Sequence, residues 1–326
     1  MMKVAMVGLG GMGSGHYNLY RQMEDVELVG LADVELDRVA GKAAECGARA
    51  YSSLTELLAN ESPDVVDICT PSYTHIDLAV EAMNRGCHVL TEKPAALCAE
   101  DVRRAYTCAR ENGVRFMAAH VIRFWGEYVW LKDTVEKGTL GRLRHLRLWR
   151  TGEKPRSSWQ NWMLDEKKSG MVPFDLHIHD VDYMVYLLGL PEKVESFEIR
   201  GGAVTNYIQS SYRYPEGLEV TAEAGWYSAP LPFNMGYEAI FEGGIAVFRD
   251  NLLTLYPNDG TARVVDLNAA EGDMGINLSR SDGYYNEIRY FLSCVENGVE
   301  PERVREQELL DVIALLKREH AESYGK

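Results

Sequence analysis

A glycine-rich motif directly after a short apolar run limits the possible folds of this chain more than any other feature. The motif has the spacing G-x-G-x-x-G and consists of Gly8, Leu9, Gly10, Gly11, Met12 and Gly13. Gly8 permits a tight turn, Gly10 lets a pyrophosphate approach the backbone, and Gly13 lets a helix pack closely on a strand. Phosphate groups would then lie at the N-terminus of that helix, where free N–H groups favour negative charge. The motif therefore predicts a strand, a nucleotide-binding loop and a helix, in that order.

An acidic residue follows the motif at the distance that a ribose-binding residue requires. Asp33 lies 20 residues beyond Gly13, at the end of a second predicted strand. A carboxylate at this position accepts hydrogen bonds from the ribose hydroxyls and repels a 2′-phosphate, so the pattern favours NAD over NADP. Arg38 is close enough in sequence to soften that preference. In the alternative interpretation Asp33 only caps the next helix and Arg38 lies on a solvated helix face.

Residues up to about 120 alternate short apolar runs with amphipathic stretches. The apolar runs predict strands over Val4–Val7, Val26–Ala32, Val65–Cys69, His88–Thr91 and Arg115–Ala119. The stretches between them predict helices over Gly11–Met23, Leu36–Cys46, Leu54–Asn60, His75–Arg85 and Ala99–Asn112. Apolar strands that alternate with helices are typical of an α/β fold with a doubly wound parallel sheet.

The pattern changes after about residue 120. A strand is predicted over Leu143–Arg150, and several strands separated by turn signals between about Val194 and Asp266. The predicted helices are Tyr128–Lys137, Asp175–Leu188, Tyr284–Glu296 and Arg305–Glu322. We therefore expect two domains: residues 1–121 as the nucleotide-binding domain, and residues 122–326 as an α+β domain with a large, mostly antiparallel open sheet for substrate binding and oligomerisation.

Charge and composition exclude several classes of function. The 326 residues carry a net charge of −15 without a basic patch, which disfavours nucleic acid and anionic membranes as partners. No apolar run approaches the roughly 18 residues that span a bilayer, and none resembles a signal peptide. The six cysteines include no C-x-x-C pair, so we expect a reduced, cytoplasmic protein without structural zinc.

Two short segments carry candidate chemistry. Lys93, between Glu92 and Pro94, follows a predicted parallel strand, where ligands of open α/β sheets bind, although a lysine at a strand end is often only solvated. Asp175 and His179 share one face of a predicted helix, whereas His177 points elsewhere. A histidine is a natural base for a hydroxyl proton. The alternatives are a helix cap with a buried histidine, or a metal site, which the diverging side chains disfavour.

Over essentially its whole length the chain resembles the glucose-fructose oxidoreductase/inositol dehydrogenase (Gfo/Idh/MocA) family. The resemblance rests on the glycine motif, Thr70-Pro71 with His75, Glu92-Lys93-Pro94, and Asp175 with His179. It implies a Rossmann domain and an α/β domain whose open sheet commonly forms homodimers or homotetramers. We expect Ile208, Tyr212, Val220 and Ala222 to alternate along strands of that interface.

The resemblance also assigns residues to roles. The residues expected to be catalytic are Lys93, Asp175 and His179. The residues expected to bind the cofactor are Gly8, Gly10, Gly11, Met12, Gly13, Asp33, Arg38, Thr70, Pro71, His75, Glu92 and Lys93. The residues expected to bind substrate are Lys93, Arg123, Trp162, Asp175, His179 and Tyr237.

These features predict an NAD-dependent oxidoreductase that acts on a secondary hydroxyl of a sugar, a cyclic polyol or a related carbohydrate. His179 would remove the hydroxyl proton, Lys93 would stabilise the developing oxyanion, and Asp175 would orient the substrate. One alternative is a redox-neutral, NAD-dependent glycosidase or eliminase, which returns the hydride to its product. Another is a nonenzymatic NAD-sensing protein, which would need none of these three residues.

Overall fold

The computed structural model describes residues 1–267 and 283–323, which divide into two compact units. The first unit contains residues 1–121 and, among the later described residues, 283–309. The second contains residues 122–267 and 310–323. The sequence-based division assigns every residue after 121 to the second domain, so the structure differs for 283–309. Residues 268–282 and 324–326 of that predicted domain lie outside the described residues.

A six-stranded parallel sheet forms the centre of the first unit. Its strands β1 to β6 are Met2–Val7, Val26–Ala32, Arg49–Tyr51, Val65–Ile68, His88–Glu92 and Phe116–Ala119. Their order in the sheet is β3-β2-β1-β4-β5-β6, and each pair is parallel. The order reverses between β1 and β4, which is the switch point where open α/β sheets bind ligands. The predicted doubly wound parallel sheet is confirmed.

Helices cover this sheet, and one of them comes from late in the chain. Helices α1 to α5 are Gly11–Tyr20, Leu36–Cys46, Leu54–Asn60, His75–Met83 and Ala99–Asn112, and α9 is Gly283–Glu296. Helix α9 packs against α1 and β5 and buries Ile288, Phe291 and Leu292. This apolar contact is the physical reason why residues 283–309 belong to the first unit.

The second unit contains an eight-stranded sheet. Its strands β7 to β14 are Leu143–Glu153, Lys193–Gly201, Val204–Arg213, Glu219–Tyr227, Asn234–Phe241, Gly244–Arg249, Leu252–Pro257 and Arg263–Val264. The order is β14-β13-β12-β11-β7-β10-β9-β8. Among the residues that the structure describes, β7 and β10 form a parallel pair and all other neighbouring strands of this sheet are antiparallel. The expected mostly antiparallel sheet is confirmed.

The helices α6, α7, α8 and α10 are Gly126–Lys137, Glu166–Ser169, Ile178–Leu188 and Glu306–Glu322. A five-residue π-helical segment, Pro173–His177, leads directly into α8. We expected one continuous α-helix from Asp175, so the wider turn at its beginning corrects that prediction.

The two faces of the second sheet differ from the expectation. Ile208, Tyr212, Val220 and Ala222 are each at most 1% exposed, and they point to the face covered by the protein itself. The residues between them on the open face of β9 and β10, such as Gln209 and Thr221, are polar. The four apolar residues belong to the core of this unit, so their predicted place in an oligomer interface is wrong.

No helix in residues 1–267 or 283–323 is long and apolar enough to cross a membrane.

Candidate functional site

Two glycines of the motif are fixed by close backbone contacts. Gly8 has φ +83°, and a Cβ atom there would lie 2.8 Å from the carbonyl oxygen of Cys69. A Cβ atom on Gly13 would lie 1.9 Å from the carbonyl oxygen of Gly8. Larger side chains are therefore excluded at both positions, which explains the first and last glycine of the motif.

The middle of the motif is open. A Cβ atom on Gly10 or Gly11 would meet no atom of the described residues within 4 Å, and Met12 is 39% exposed. Gly10 immediately precedes α1, so the first N–H groups of that helix face this space. This cradle fits a dinucleotide pyrophosphate, because the backbone can approach the phosphates and the helix N-terminus attracts their charge.

Asp33 lies beside the glycine motif and is 5% exposed. Its Oδ2 accepts the backbone N–H of Leu9 at 2.9 Å, and both of its oxygens lie 3.0 Å from Nη1 of Arg38. Arg38 also pairs with Glu35, and an open depression is lined by residues 35–38. The structure therefore places Asp33 and Arg38 together beside the glycine motif, and their contact with the ribose stays a prediction.

The Thr70-Pro71 segment follows β4 and is partly exposed. His75 is buried beneath it, with Nε2 at 2.8 Å from the carbonyl oxygen of Thr70 and Nδ1 at 2.9 Å from that of Pro94. Burial lowers the pKa of His75. The imidazole thus connects the segments that follow β4 and β5. We expected His75 to contact the cofactor directly, but both of its ring nitrogens face carbonyl oxygens of the protein.

Lys93 follows β5 directly and is partly exposed, and its peptide bond to Pro94 is cis. Glu92 is buried, and its Oε2 accepts the backbone N–H of Lys93 at 3.0 Å. Its Oε1 lies 3.3 Å from Nε2 of His16, whose Nδ1 lies 2.8 Å from Oδ2 of Asp67. The Glu92 carboxylate, which we expected to bind the cofactor, is thus engaged inside the protein.

The polar cluster formed by His16, Asp67, Cys69 and Glu92 was missed in the sequence. Three of its members offer possible metal ligands within 4.8 Å of one another, namely His16, Asp67 and Cys69. His16 follows Gly13 by three residues, Asp67 lies near the end of β4, and Cys69 follows that strand. Each position relative to its motif was visible in the sequence, but no local pattern indicated that these residues meet.

In the second unit, exposure alternates along the segment that contains Asp175 and His179. These two side chains are partly exposed, whereas His177 and Asp180 are buried. Asp180 pairs with Arg150 at 3.1 Å, and burial raises its pKa. Asp175 and His179 are thus the acid and the imidazole of this segment that solvent reaches.

His177 has partners within the core. Its Nε2 lies 2.9 Å from Oε2 of Glu319 and 3.1 Å from the hydroxyl oxygen of Tyr212. Glu319 also accepts hydrogen bonds from Tyr212 and Ser210. His177 therefore anchors the π-helical segment to β9 and α10, in a direction different from that of His179.

Two residues expected to bind substrate lie in the core. Arg123 is 1% exposed, and it makes hydrogen bonds of 2.8 and 2.6 Å to Asp182. Tyr237 is 0% exposed, and its hydroxyl donates to the carbonyl oxygen of Glu127. The structure gives both side chains packing roles, contrary to the expectation. Trp162 is half-buried in the 3-10 helical segment Trp159–Leu164, and its contact with substrate stays a prediction.

Comparisons with known proteins match both units. Residues 2–120 match the oxidoreductase family model described as an NAD-binding Rossmann fold, and residues 128–247 match the GFO/IDH/MocA C-terminal domain.

Two curated relatives illustrate the range of similarity. The chain is 29% identical to the myo-inositol 2-dehydrogenase of Thermotoga maritima, over 92% of this chain and 90% of that protein. It is 28% identical to the 2,7-anhydro-N-acetylneuraminate hydratase of Mediterraneibacter gnavus, over 58% of this chain and 50% of that protein. The chain spans about half the length of several of the curated relatives that it matches.

A solved structure is similar over the full length. UDP-N-acetylglucosamine 3-dehydrogenase from Acidithiobacillus ferrooxidans has a TM-score of 0.78 and 25% identity, and the match covers 99% of this chain and 97% of that one.

Proposed function

The chain belongs to the Gfo/Idh/MocA family of oxidoreductases, and we propose that it transfers a hydride between nicotinamide and a secondary hydroxyl of a sugar, cyclic polyol or related carbohydrate. The myo-inositol and UDP-N-acetylglucosamine dehydrogenases among its relatives support this class of substrate. Oxidation of the alcohol gives a ketone, NADH and a proton.

The cofactor accepts the hydride, so the protein has to bind the substrate, orient its hydroxyl group and remove the hydroxyl proton. We assign removal of the hydroxyl proton to His179, because an imidazole titrates near neutral pH. Asp175 orients the hydroxyl by accepting a hydrogen bond. Lys93 supplies a positive charge to the oxygen as negative charge develops on it. The open cradle at Gly10 and Gly11 would hold the pyrophosphate of NAD.

The contrast between His179 and His177 carries this proposal. His179 is partly exposed on the same segment as Asp175, whereas His177 is fully buried and bonded to Glu319. A base must reach its substrate, so only one of these two histidines can serve.

The first test is a panel of inositols, aldoses, uronates and aldonates with NAD and NADP supplied separately. Absorbance of the reduced nucleotide reports turnover. We expect at least one compound to yield NADH. If the protein is folded and binds NADH but turns over none of these compounds, the proposed dehydrogenase function is wrong.

Variants then test the assigned roles. We expect His179→Asn to lower kcat by a factor on the order of a hundred to ten thousand, as is usual for loss of a general base. Lys93→Met should also lower kcat, while NADH still binds in both variants because the glycine motif and Asp33 are intact. The matched control is His145→Asn, which changes a partly exposed histidine on β7 and should leave kcat unchanged.

A second candidate is favoured by one observation, the similarity to the 2,7-anhydro-N-acetylneuraminate hydratase. In such a reaction the hydride would return to the carbohydrate after an elimination or addition at a neighbouring carbon. Product formation without net NADH, in the presence of catalytic amounts of NAD, would favour this candidate over the dehydrogenase.

A further inference from the structure

A buried chain of polar contacts links the helix of the glycine motif to Lys93. His16, on α1, is 0% exposed and lies between Asp67 at the end of β4 and Glu92 at the end of β5. The other carboxylate oxygen of Glu92 accepts the backbone N–H of Lys93. The contacts therefore run from β4 through α1 to the backbone of Lys93.

The two ring nitrogens of His16 contact different carboxylates. Nδ1 is within hydrogen-bond distance of Asp67, 2.8 Å, and Nε2 lies at the ion-pair distance of 3.3 Å from Glu92, so a protonated ring pairs with both. Burial by itself lowers the pKa of His16, but Cys69 and Asp67 together raise it well above its usual value. Burial raises the pKa of Glu92, but the contacts and charges of His16 and Lys93 together outweigh this and lower it.

The remaining titratable groups of the cluster come from two helices. Tyr20 lies on α1, where burial raises its pKa, so it is neutral at physiological pH. Tyr284 of α9 has its ring centroid 6.2 Å from that of His16, and Glu287 of the same helix is buried nearby, where its charge acts on Tyr20.

We propose that His16 is a positioning residue for Lys93: it holds the Glu92 carboxylate, which in turn fixes the backbone from which the Lys93 side chain projects. The proposal rests on the proposed function of Lys93 in stabilising the substrate oxygen. His16 lies one turn beyond Gly13 on α1, so the same contact joins the nucleotide-binding helix to the catalytic lysine.

The cluster is better explained by hydrogen bonds than by a metal. Asp67 lies 2.8 Å from Nδ1 of His16, which is hydrogen-bond length, and the Cys69 thiol donates to the same carboxylate. Burial raises the pKa of that thiol, whereas a metal ligand has to be a thiolate.

Two substitutions of His16 separate its two contacts. The amide of Asn reaches approximately the position of Nδ1 and can donate to Asp67 but not to Glu92. The longer Gln places its amide near the position of Nε2 and can donate to Glu92. Tyr20→Phe is the matched control, because it removes a buried hydroxyl from the same helix without removing the link to Glu92.

The readout that does not depend on activity is hydrogen exchange at the Lys93 amide, measured by mass spectrometry on overlapping peptides. We expect exchange about tenfold faster in His16→Asn, the equivalent of one hydrogen bond, and nearly unchanged exchange in His16→Gln and Tyr20→Phe. With a substrate from the panel, kcat should fall about tenfold in His16→Asn while the Kd for NADH changes by less than about threefold.

Three results would overturn the proposal. The first is an exchange rate of the Lys93 amide in His16→Asn that equals the wild-type rate. The second is an equal increase of that rate in His16→Asn and His16→Gln, which would mean that His16 only supports the fold. The third is stoichiometric zinc in the purified protein that is lost in both variants. If no carbohydrate is turned over, the assigned role of Lys93 fails, and the exchange experiment still decides whether His16 fixes its backbone.

Discussion

The Asp33 carboxylate accepts hydrogen bonds from two neighbours, and these contacts determine how its replacement should change nucleotide binding. It holds the glycine motif through the Leu9 N–H and occupies the Arg38 guanidinium. Asp33→Ser removes the acceptor for the ribose and releases Arg38, which can then pair with a 2′-phosphate. We expect NADH to bind roughly tenfold more weakly or worse, because a hydrogen bond to a charged group contributes about 1.5–3 kcal/mol, and NADPH to bind more tightly. Fluorescence titration with each nucleotide measures both changes.

The control for this prediction is Asp33→Ser combined with Arg38→Ala, which should lose the gain for NADPH. Tighter binding of NADPH than of NADH by the unaltered protein would contradict the role of Asp33.

The protonation of His16 makes stability depend on pH. Its pKa is raised in the folded protein, so its contribution to the free energy of unfolding is complete below about pH 6.5 and is lost as the pH rises through the raised pKa. His16→Gln lacks this titration. We therefore expect the Tm difference between wild type and His16→Gln to be largest near pH 6 and to narrow towards pH 9. A constant difference over that range would show that the buried imidazole is neutral.

The separation along the chain between contacting residues determines which of them can be identified from the sequence alone. Lys93, Asp175 and His179 stand in short motifs, so their residue types and spacing, together with the family resemblance, mark them as candidates, and their roles stay predictions. His16 and Asp67 are 51 residues apart, and His177 and Glu319 are 142 apart. Such pairs meet only through the strand order and the path of the last helices, which local patterns do not contain.

At the scale of helices and strands, the elements with strong local signals were predicted well. Helix α3 begins where Ser53 accepts the N–H of Glu56, and α5 ends at Gly113 with φ +65°. Both ends are determined by residues within one turn. Strand β3 was missed, because Arg49–Tyr51 is only three residues long and lies at the edge of its sheet. The π-helical turn was missed because one wider turn hardly changes the apolar pattern.

That π-helical segment depends on its anchor to α10. We expect His177→Asn to lower the free energy of unfolding by about 1–3 kcal/mol, because the shorter Asn amide does not reach the position of Nε2 and the buried Glu319 carboxylate loses one of its donors. Urea denaturation measures this loss. His145→Asn, at a partly exposed position, should stay within about 0.5 kcal/mol of wild type.

Turnover by the folded His177→Asn protein separates anchoring from catalysis. We expect kcat to remain within a few-fold of wild type while stability falls. Normal stability combined with a loss of turnover comparable to that of His179→Asn would mean that the two histidines are assigned the wrong way round.

At the scale of the whole molecule, chain order and compact units do not coincide. The predicted boundary after residue 121 follows a change in sequence pattern, but the pattern cannot show that α9 packs against α1 and β5. The same limitation affected the second sheet. Alternation along β9 and β10 identified which residues share a face, but not which face the protein covers itself.

The open face of that sheet is mixed in character. On one side Arg147 pairs with Glu223, whereas β12 and β13 expose Ile245, Leu252 and Tyr256 at 37%, 48% and 48%. Ile245 and Tyr256 are direct neighbours across these strands. Exposed apolar residues that cluster on one sheet face are typical of an association surface.

We therefore expect homo-oligomers that use the β12–β13 part of the open face. Ile245→Glu with Tyr256→Glu should convert the protein to monomers, because two buried carboxylates at an interface would lack partners, while Tm at low concentration stays close to that of the wild-type monomer. Light scattering after size exclusion measures the mass. Leu190→Glu, at a 53% exposed position outside this sheet, is the control and should leave the mass unchanged. A wild-type monomer at micromolar concentration, or an unchanged oligomer in the double variant, would exclude this surface as the interface.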